Sequence, residues 1–341
     1  MPFSGLSAKT KNPLLEIKNL SVIFGHAGKT KNEGVRVVND ISFSIPEGSI
    51  FGLAGESGSG KSLTALSVMG ILPNGARAEG DIRFRGGRIL NLSSEKMRSI
   101  RGKEISMVFQ EPMTSLNPVL KIGYQVKEAL LAHLPISKKE AHERAAGLLR
   151  SVMIPAAEQR MDDYPHQLSG GMRQRVMIAM AIACNPSLLI ADEPTTALDV
   201  TIEAQILELI NKLRVERDMS VLLITHDLGV ISRHASYVGV MYAGRLVELS
   251  PVGEIFESPR HPYTIGLLES IPFRKKKGSP LKPIPGSVPP PWGLPPGCKF
   301  SDRCAFMIPA CRQAEPDLRS IKKPDGHFAR CIRAEEMRWG L

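Results

Sequence analysis

A chain of 341 residues, 43% apolar and 23% charged, has room for one large domain or two modest ones. It holds no run of about 18 apolar residues, so no bilayer-crossing helix is expected, and residues 1–12 lack the apolar stretch of a secretion signal. The net charge of +10 is unevenly placed: residues 272–341 carry 14 Lys and Arg against 6 Asp and Glu, a net +8, led by Arg274, Lys275, Lys276 and Lys277. Such a basic tail suits a solvated face, and it also suits an anionic lipid surface or nucleic acid.

Residues 50–54 form an apolar run that reads as a buried strand, and residues 62–66 read as a helix. Between them lies Gly55-Glu56-Ser57-Gly58-Ser59-Gly60-Lys61-Ser62, a full G-x-x-x-x-G-K-[ST] pattern in the strand–loop–helix setting it needs. The glycines let backbone N–H groups close around phosphates, Lys61 brings a point charge to the terminal phosphates, and the Ser62 hydroxyl is a magnesium ligand. Met107-Val108-Phe109 is a further short strand, ending in Gln110, which is placed to reach the magnesium ion or an attacking water. In residues 138–153, Ala141, Ala145, Leu148, Leu149 and Val152 recur at helical spacing, which predicts a small helical subdomain.

Leu168-Ser169-Gly170-Gly171-Met172 precedes a helical stretch over 172–183, so its N–H groups form a second anion-binding turn at a helix start. The apolar residues 187–191 predict another buried strand, and Asp192 and Glu193 follow at its carboxyl end, where an open α/β sheet places its ligands. Asp192 suits the magnesium ion or its water; Glu193 suits the general base that polarises an attacking water. A third such strand over 221–224 ends in Thr225-His226, and His226 can donate a hydrogen bond to a terminal phosphate.

Cys298, Cys304, Cys311 and Cys331 crowd the end of the chain behind eight prolines between Pro280 and Pro296, a semi-rigid spacer. Two disulfides are disfavoured in the reducing compartment of a nucleotide-hydrolysing chain. Structural zinc favours shorter Cys pairs, and the wider spacing is compatible with an iron–sulfur cluster. His327 is a substitute ligand, and Cys184 reads as a small core residue.

Taken together, these motifs resemble the ATP-binding subunit of ATP-binding-cassette (ABC) transporters over residues 14–256. On that resemblance, Gly55, Ser57, Gly58, Ser59, Gly60, Lys61, Ser62 and the following Leu63 correspond to the Walker A loop, and Gln110 to the Q-loop. Ser169, Gly170 and Gly171 correspond to the family signature, Asp192 and Glu193 to the Walker B end, Ala197-Leu198-Asp199 to the D-loop, His226 to the switch histidine and Phe24 to the adenine-stacking aromatic. The runs 108–118 and His261-Pro262-Tyr263-Thr264 are similar to those of the dipeptide, oligopeptide and nickel importers, whose cysteine-bearing tail implies a [4Fe-4S] cluster on the four cysteines. Asp302 stands where many relatives have proline.

The resemblance implies an α/β fold of the P-loop NTPase class: a RecA-like core, an inserted α-helical subdomain at about 111–175, an antiparallel β region near the N-terminus and a small Cys-rich appendage. The implied boundaries are a flexible N-terminus at 1–13, an ATPase domain at 14–256, a Pro-rich linker at 257–297 and a cluster-binding segment at 298–341. ATP and Mg2+ are the implied cofactors, with Zn2+ as the alternative in the cysteine tail. The implied partners are a second, non-identical ATPase subunit, two transmembrane permease subunits and, through them, a solute-binding protein. Nucleic acid is not expected, and the place implied is the cytoplasmic face of a bacterial inner membrane. ATP would sit between the phosphate loop of one subunit and the signature of the other. The rivals are a nickel or other solute importer, an ABC ATPase acting on nucleic acid or ribosomes, and a redox-sensing regulatory ATPase.

Overall fold

The computed structural model describes residues 13–25, 34–110, 115–196, 198–271, 283–321 and 326–337. Most of residues 1–13, Arg274 to Lys277, Ala197 of the D-loop stretch and residues 111–114 of the run after Gln110 therefore lie outside the described residues. The strands in chain order are β1 (Leu15–Gly25), β2 (Gly34–Ile45), β3 (Ile50–Ala54), β4 (Ala76–Phe84), β5 (Gly87–Arg88), β6 (Ile105–Val108), β7 (Leu188–Asp192), β8 (Ser220–Thr225), β9 (Tyr237–Tyr242), β10 (Arg245–Pro251), β11 (Arg319–Ser320) and β12 (Phe328–Ala329). The chain divides into two compact units, one comprising residues up to Pro46, Ile50–Asn91 and Thr225 onward, the other Glu47–Ser49 and Leu92–Ile224.

In the first unit, β1 pairs antiparallel with β2 and β4, and β5 extends β4. Alternation shows in β4, where Ile82 and Phe84 are buried and Arg83 is exposed between them. A second set of strands runs β3, β9, β10, β12, β11: β3 and β9 are parallel, and the later pairs are antiparallel. All five residues of β3 are buried, as the continuous Ile-Phe-Gly-Leu-Ala run requires of a strand covered on both faces. The helix Leu228–His234 approaches β3 so closely that a Cβ on Gly52 would meet Ile231 Cγ2 at 2.8 Å.

In the second unit, β6, β7 and β8 are parallel, with β7 in the middle, and every residue of β7 and β8 is buried. The helix Lys138–Ser151 starts at Ser137, whose hydroxyl accepts the Glu140 N–H, and it buries Ala141, Ala145, Ala146, Leu148 and Leu149. It packs with the helices Ile122–Leu131 and Gly170–Ala181. No helix among the described residues is long and apolar enough to cross a membrane.

Candidate functional site

The chain must turn sharply from β3 into the helix Lys61–Met69, and the loop between them needs backbone that only glycine supplies. Gly55 has φ +147, and a Cβ there would fall 2.2 Å from the Met241 carbonyl oxygen. Gly60 is the left-handed residue at the helix start. Lys61 is 4% exposed, and its ammonium donates to the Gly55 and Glu56 carbonyls at 2.7 and 3.0 Å. It thereby closes the loop on itself with the charge at its centre. The Ser59 hydroxyl is fully buried and has no hydrogen-bond partner among the described residues, a donor whose chemistry fits a phosphate oxygen. Ser57 and Gly58 are exposed, while Ser62 and Leu63 are half-buried on the first helical turn.

Elsewhere in this unit, Phe24 lies half-buried near the end of β1, opposite Val35 and Ala76. His226 is exposed just past β8; beyond it, Asp227 caps the helix Leu228–His234 by accepting the Gly229 N–H at 2.6 Å.

Two residues that the sequence did not single out grip the phosphate loop. The Glu56 N–H donates to the Tyr263 hydroxyl at 2.8 Å. The Arg303 guanidinium donates to both Glu56 carboxylate oxygens, Nη1 to Oε2 at 2.7 Å and Nη2 to Oε1 at 3.0 Å. That fork raises the Arg303 pKa above its ordinary value, with the Glu56 hydrogen bond as the main cause. Only the presence of Tyr263 in the His-Pro-Tyr-Thr run hinted at its place. Its neighbour His261 is buried and accepts the Tyr263 N–H on Nδ1 at 3.1 Å, and burial pushes its pKa down to about 3.

The second unit gathers Gln110, Glu193 and Thr196. The Gln110 amide and the Thr196 hydroxyl both donate to Glu193 Oε2, each at 3.1 Å. Glu193 itself sits in the left-handed region at φ +43, and its N–H donates to the Ile224 carbonyl at 2.9 Å, tying the end of β7 to β8. Asp192, 4% exposed, is the last residue of β7.

In the same unit, Ser169 caps the helix Gly170–Ala181 through the Met172 N–H at 3.3 Å. The helix begins two residues before the expected 172, because both glycines belong to its first turn. Ser169 and Gly170 are exposed, with no acidic residue in that turn to compete for an anion. Gly171 permits close packing: a Cβ there would fall 2.8 Å from Ile202 Cγ2, on the helix Val200–Glu216 that Asp199 caps.

The cysteine tail corrects an expectation. Cys298, Cys304, Cys311 and Cys331 do line one small cavity, together with Phe300, Phe306, Ile332 and Met337. Yet among the described residues no three His, Cys, Asp or Glu side chains form a group that could hold a metal ion. The iron–sulfur assignment, and zinc with it, is therefore withdrawn. Around the cavity, burial raises the Cys298 pKa and pushes Cys304 up to about 11 and Cys331 to about 12. Cys298 and Cys304 pack as small apolar groups against the core that contains Phe300 and Tyr263. His327 is engaged elsewhere, its Nε2 2.6 Å from Glu248 Oε1 in a fully buried pair.

Residues 38–196 match the family model described as ABC transporter, and residues 247–311 match that of the oligopeptide/dipeptide transporter C-terminal region. Over 341 residues the chain is 50% identical to the putative peptide import ATP-binding protein BMEII0863 of Brucella melitensis, covering 96% of this chain and 99% of the relative. The chain belongs to the ATP-binding subunits of ABC transporters. The oligopeptide transport ATP-binding protein AppD of Bacillus subtilis is another such subunit, 50% identical over 325 residues, with 95% of this chain and 97% of the relative covered. Among solved structures, the ABC protein MJ0796, dimeric in a post-hydrolysis state with ADP and Pi, superposes with a TM-score of 0.61 at 28% identity, covering 70% of this chain and 98% of that one. The resemblance read from the motifs, and the ABC ATPase fold it implies, are borne out by these matches.

Proposed function

We propose that this subunit hydrolyses ATP to power the import of peptides through separate membrane subunits, closing against a second, non-identical ATPase subunit each time it binds nucleotide. The observation that carries the reading is the pair of matches in one chain: the ATPase part with ABC transporters and residues 247–311 with oligopeptide/dipeptide transporters. Near full-length relatives named for peptide import and oligopeptide transport support the cargo class.

The chemistry follows from the groups in place. Lys61 and the N–H groups of residues 57–62 receive the β- and γ-phosphates, with Ser59 offering its buried hydroxyl and Phe24 a face for the adenine. A magnesium ion held through Ser62, Asp192 and Gln110 would supply charge neutralisation on the phosphates when bound. Glu193 takes the proton of the attacking water as general base, and His226 donates to the γ-phosphate as charge develops there. Ser169 and Gly170, exposed at a helix start, close on the γ-phosphate held by the partner subunit, with Gly171 and Asp199 beside them. ADP lacks that group, so hydrolysis loosens the pair: a switch biased by its ligand. The Gln110 loop and the helical segment after it pass closure to the permease, at the cytoplasmic face of the membrane.

The test is reconstitution of the subunit in lipid vesicles with its second ATPase subunit, permeases and binding protein. Peptide uptake that requires ATP and is lost with Lys61→Ala supports the reading. Hydrolysis stimulated by nucleic acid, or uptake of nickel in place of peptide, overturns it.

A further inference from the structure

Glu56 is the one acidic residue inside the phosphate loop, where a carboxylate opposes an incoming triphosphate. Every polar group of Glu56 is nevertheless engaged. Its N–H donates to Tyr263, its carbonyl accepts from Lys61 at 3.0 Å and from the Ser59 N–H at 3.2 Å, and its carboxylate is forked by Arg303. Tyr263 and Arg303 lie 207 and 247 residues away in sequence, on the C-terminal side of the ATPase part. Neither is a loose surface group: the Arg303 side chain is 7% exposed and Tyr263 is fully buried.

Arg303 is itself fixed from several sides. Its Nε donates to the Pro285 carbonyl at 2.8 Å and Nη2 to the Gly286 carbonyl at 3.2 Å. Its guanidinium carbon lies 5.6 Å from the Tyr242 ring centroid and 6.0 Å from that of Phe300. Tyr242, Tyr263 and Phe300 pack mutually, with centroids 4.7 to 5.4 Å apart. The proline-rich stretch, the cysteine-bearing segment and the His-Pro-Tyr-Thr run thus converge on a single loop residue. A bidentate, half-buried ion pair pre-organises both partners in a way that a solvated surface pair does not.

We propose that Arg303 and Tyr263 are positioning residues for the phosphate loop: Arg303 cancels the charge of Glu56 and Tyr263 pins its backbone, so that the C-terminal segment sets the affinity of this subunit for ATP. The inference rests on the reading that Lys61 and the N–H groups of residues 57–62 hold ATP. Loss of Arg303 leaves an uncompensated carboxylate in the loop, which weakens ATP binding and leaves the groups that perform hydrolysis in place. The penalty is electrostatic, so salt screens it.

The experiment measures ATP KM and kcat of the assembled transporter, with equilibrium binding of a fluorescent ATP analogue. Arg303→Ala is expected to raise KM roughly three- to tenfold with kcat within about twofold of the parent, the ratio shrinking in about 1 M salt. Glu56→Gln alone leaves KM unchanged or lower, and in the Arg303→Ala background it recovers most of the loss. Arg303→Lys, which keeps charge and loses the fork, falls between. If Arg303→Ala does not fold, Glu56→Gln and Arg303→Lys still decide: a KM raised by Glu56→Gln overturns the proposal. Equal harm from Arg303→Ala and Glu56→Gln with no recovery in the double variant also overturns it, as the mark of a purely structural tie. Should Lys61→Ala leave nucleotide binding intact, the loop is not the ATP site and the functional reading itself fails. Should Lys61→Ala abolish binding while Arg303→Ala moves nothing, this inference alone falls.

Discussion

The side-chain amide of Gln110 donates to the carboxylate of Glu193 at 3.1 Å, across 83 residues of sequence. The oxygen that receives it, Oε2, also receives the Thr196 hydroxyl. On the proposed reading this carboxylate takes the proton of the attacking water, and the two donors fix where it points. Glu193→Gln should keep nucleotide binding and lower kcat by about a hundred- to ten-thousandfold. Single-turnover hydrolysis checks it, and normal turnover would remove Glu193 from the role of base.

On the proposed reading, Lys61 acts before chemistry. Its ammonium holds the loop through two carbonyls and is buried with them. Replacing it with alanine removes both the point charge and the closure of the loop. Nucleotide dissociation constants should rise by roughly tenfold or more, measured by titration with a fluorescent analogue.

Ser169 serves a helix start whose outward face is exposed. Ser169→Ala should cost about 1 kcal/mol of stability through the lost cap. The larger effect is expected on ATP-driven association with the second ATPase subunit, read by size-exclusion chromatography of Glu193→Gln preparations. Association as tight as with Ser169 present would argue against a role for this turn across the interface.

His261 makes stability depend on pH. Its folded pKa is about 3, lowered chiefly by burial, against about 6.5 when unfolded. The unfolded chain therefore binds more protons between these values. The contribution is complete above pH 6.5 and is lost as pH falls toward 3, by about 1.4 kcal/mol per pH unit for this group alone. Protonation would also forfeit the Nδ1 hydrogen bond from Tyr263. His261→Asn, which can cap the same helix, should flatten the decline of the urea midpoint between pH 6.5 and 4.5 relative to the parent chain.

The thiols of Cys304, half-buried, and Cys331, buried, should be slow to react. With Cys304 and Cys331 pushed up to about 11 and 12 by burial, their thiolate fraction at pH 8 is very small. Iodoacetamide should label them in urea and spare them in the folded subunit, as mass spectrometry of the tail peptides can show.

Features whose cause is local were legible in the sequence. The phosphate loop announces itself because sharp turns demand glycines at fixed offsets, and β3, β7 and β8 because doubly covered strands carry a continuous apolar run. Boundaries drifted where a neighbour decides them. The strand expected at Met107-Val108-Phe109 is Ile105–Val108, since β7 pairs with those four residues and leaves Phe109 exposed. The grip of Tyr263 and Arg303 on Glu56 left no local trace, because it joins segments more than two hundred residues apart. The cysteine spacing pointed to a cluster, whereas the four thiols line a small cavity with Phe300 and Phe306, and no metal-holding group of three His, Cys, Asp or Glu forms among the described residues.

The short hairpin of β11 and β12 lies along β10, pairing Glu248 with Ala329 and Leu249 with Phe328, and places His327 over the buried Glu248 carboxylate. A fragment ended before residue 319 would strip that border from the sheet. It would bare the edge of a hydrophobic strand and take His327 from the Glu248 carboxylate, leaving that group to the Arg260 and His261 N–H donors, so shortened versions should clump in solution rather than fold as tidy cassettes.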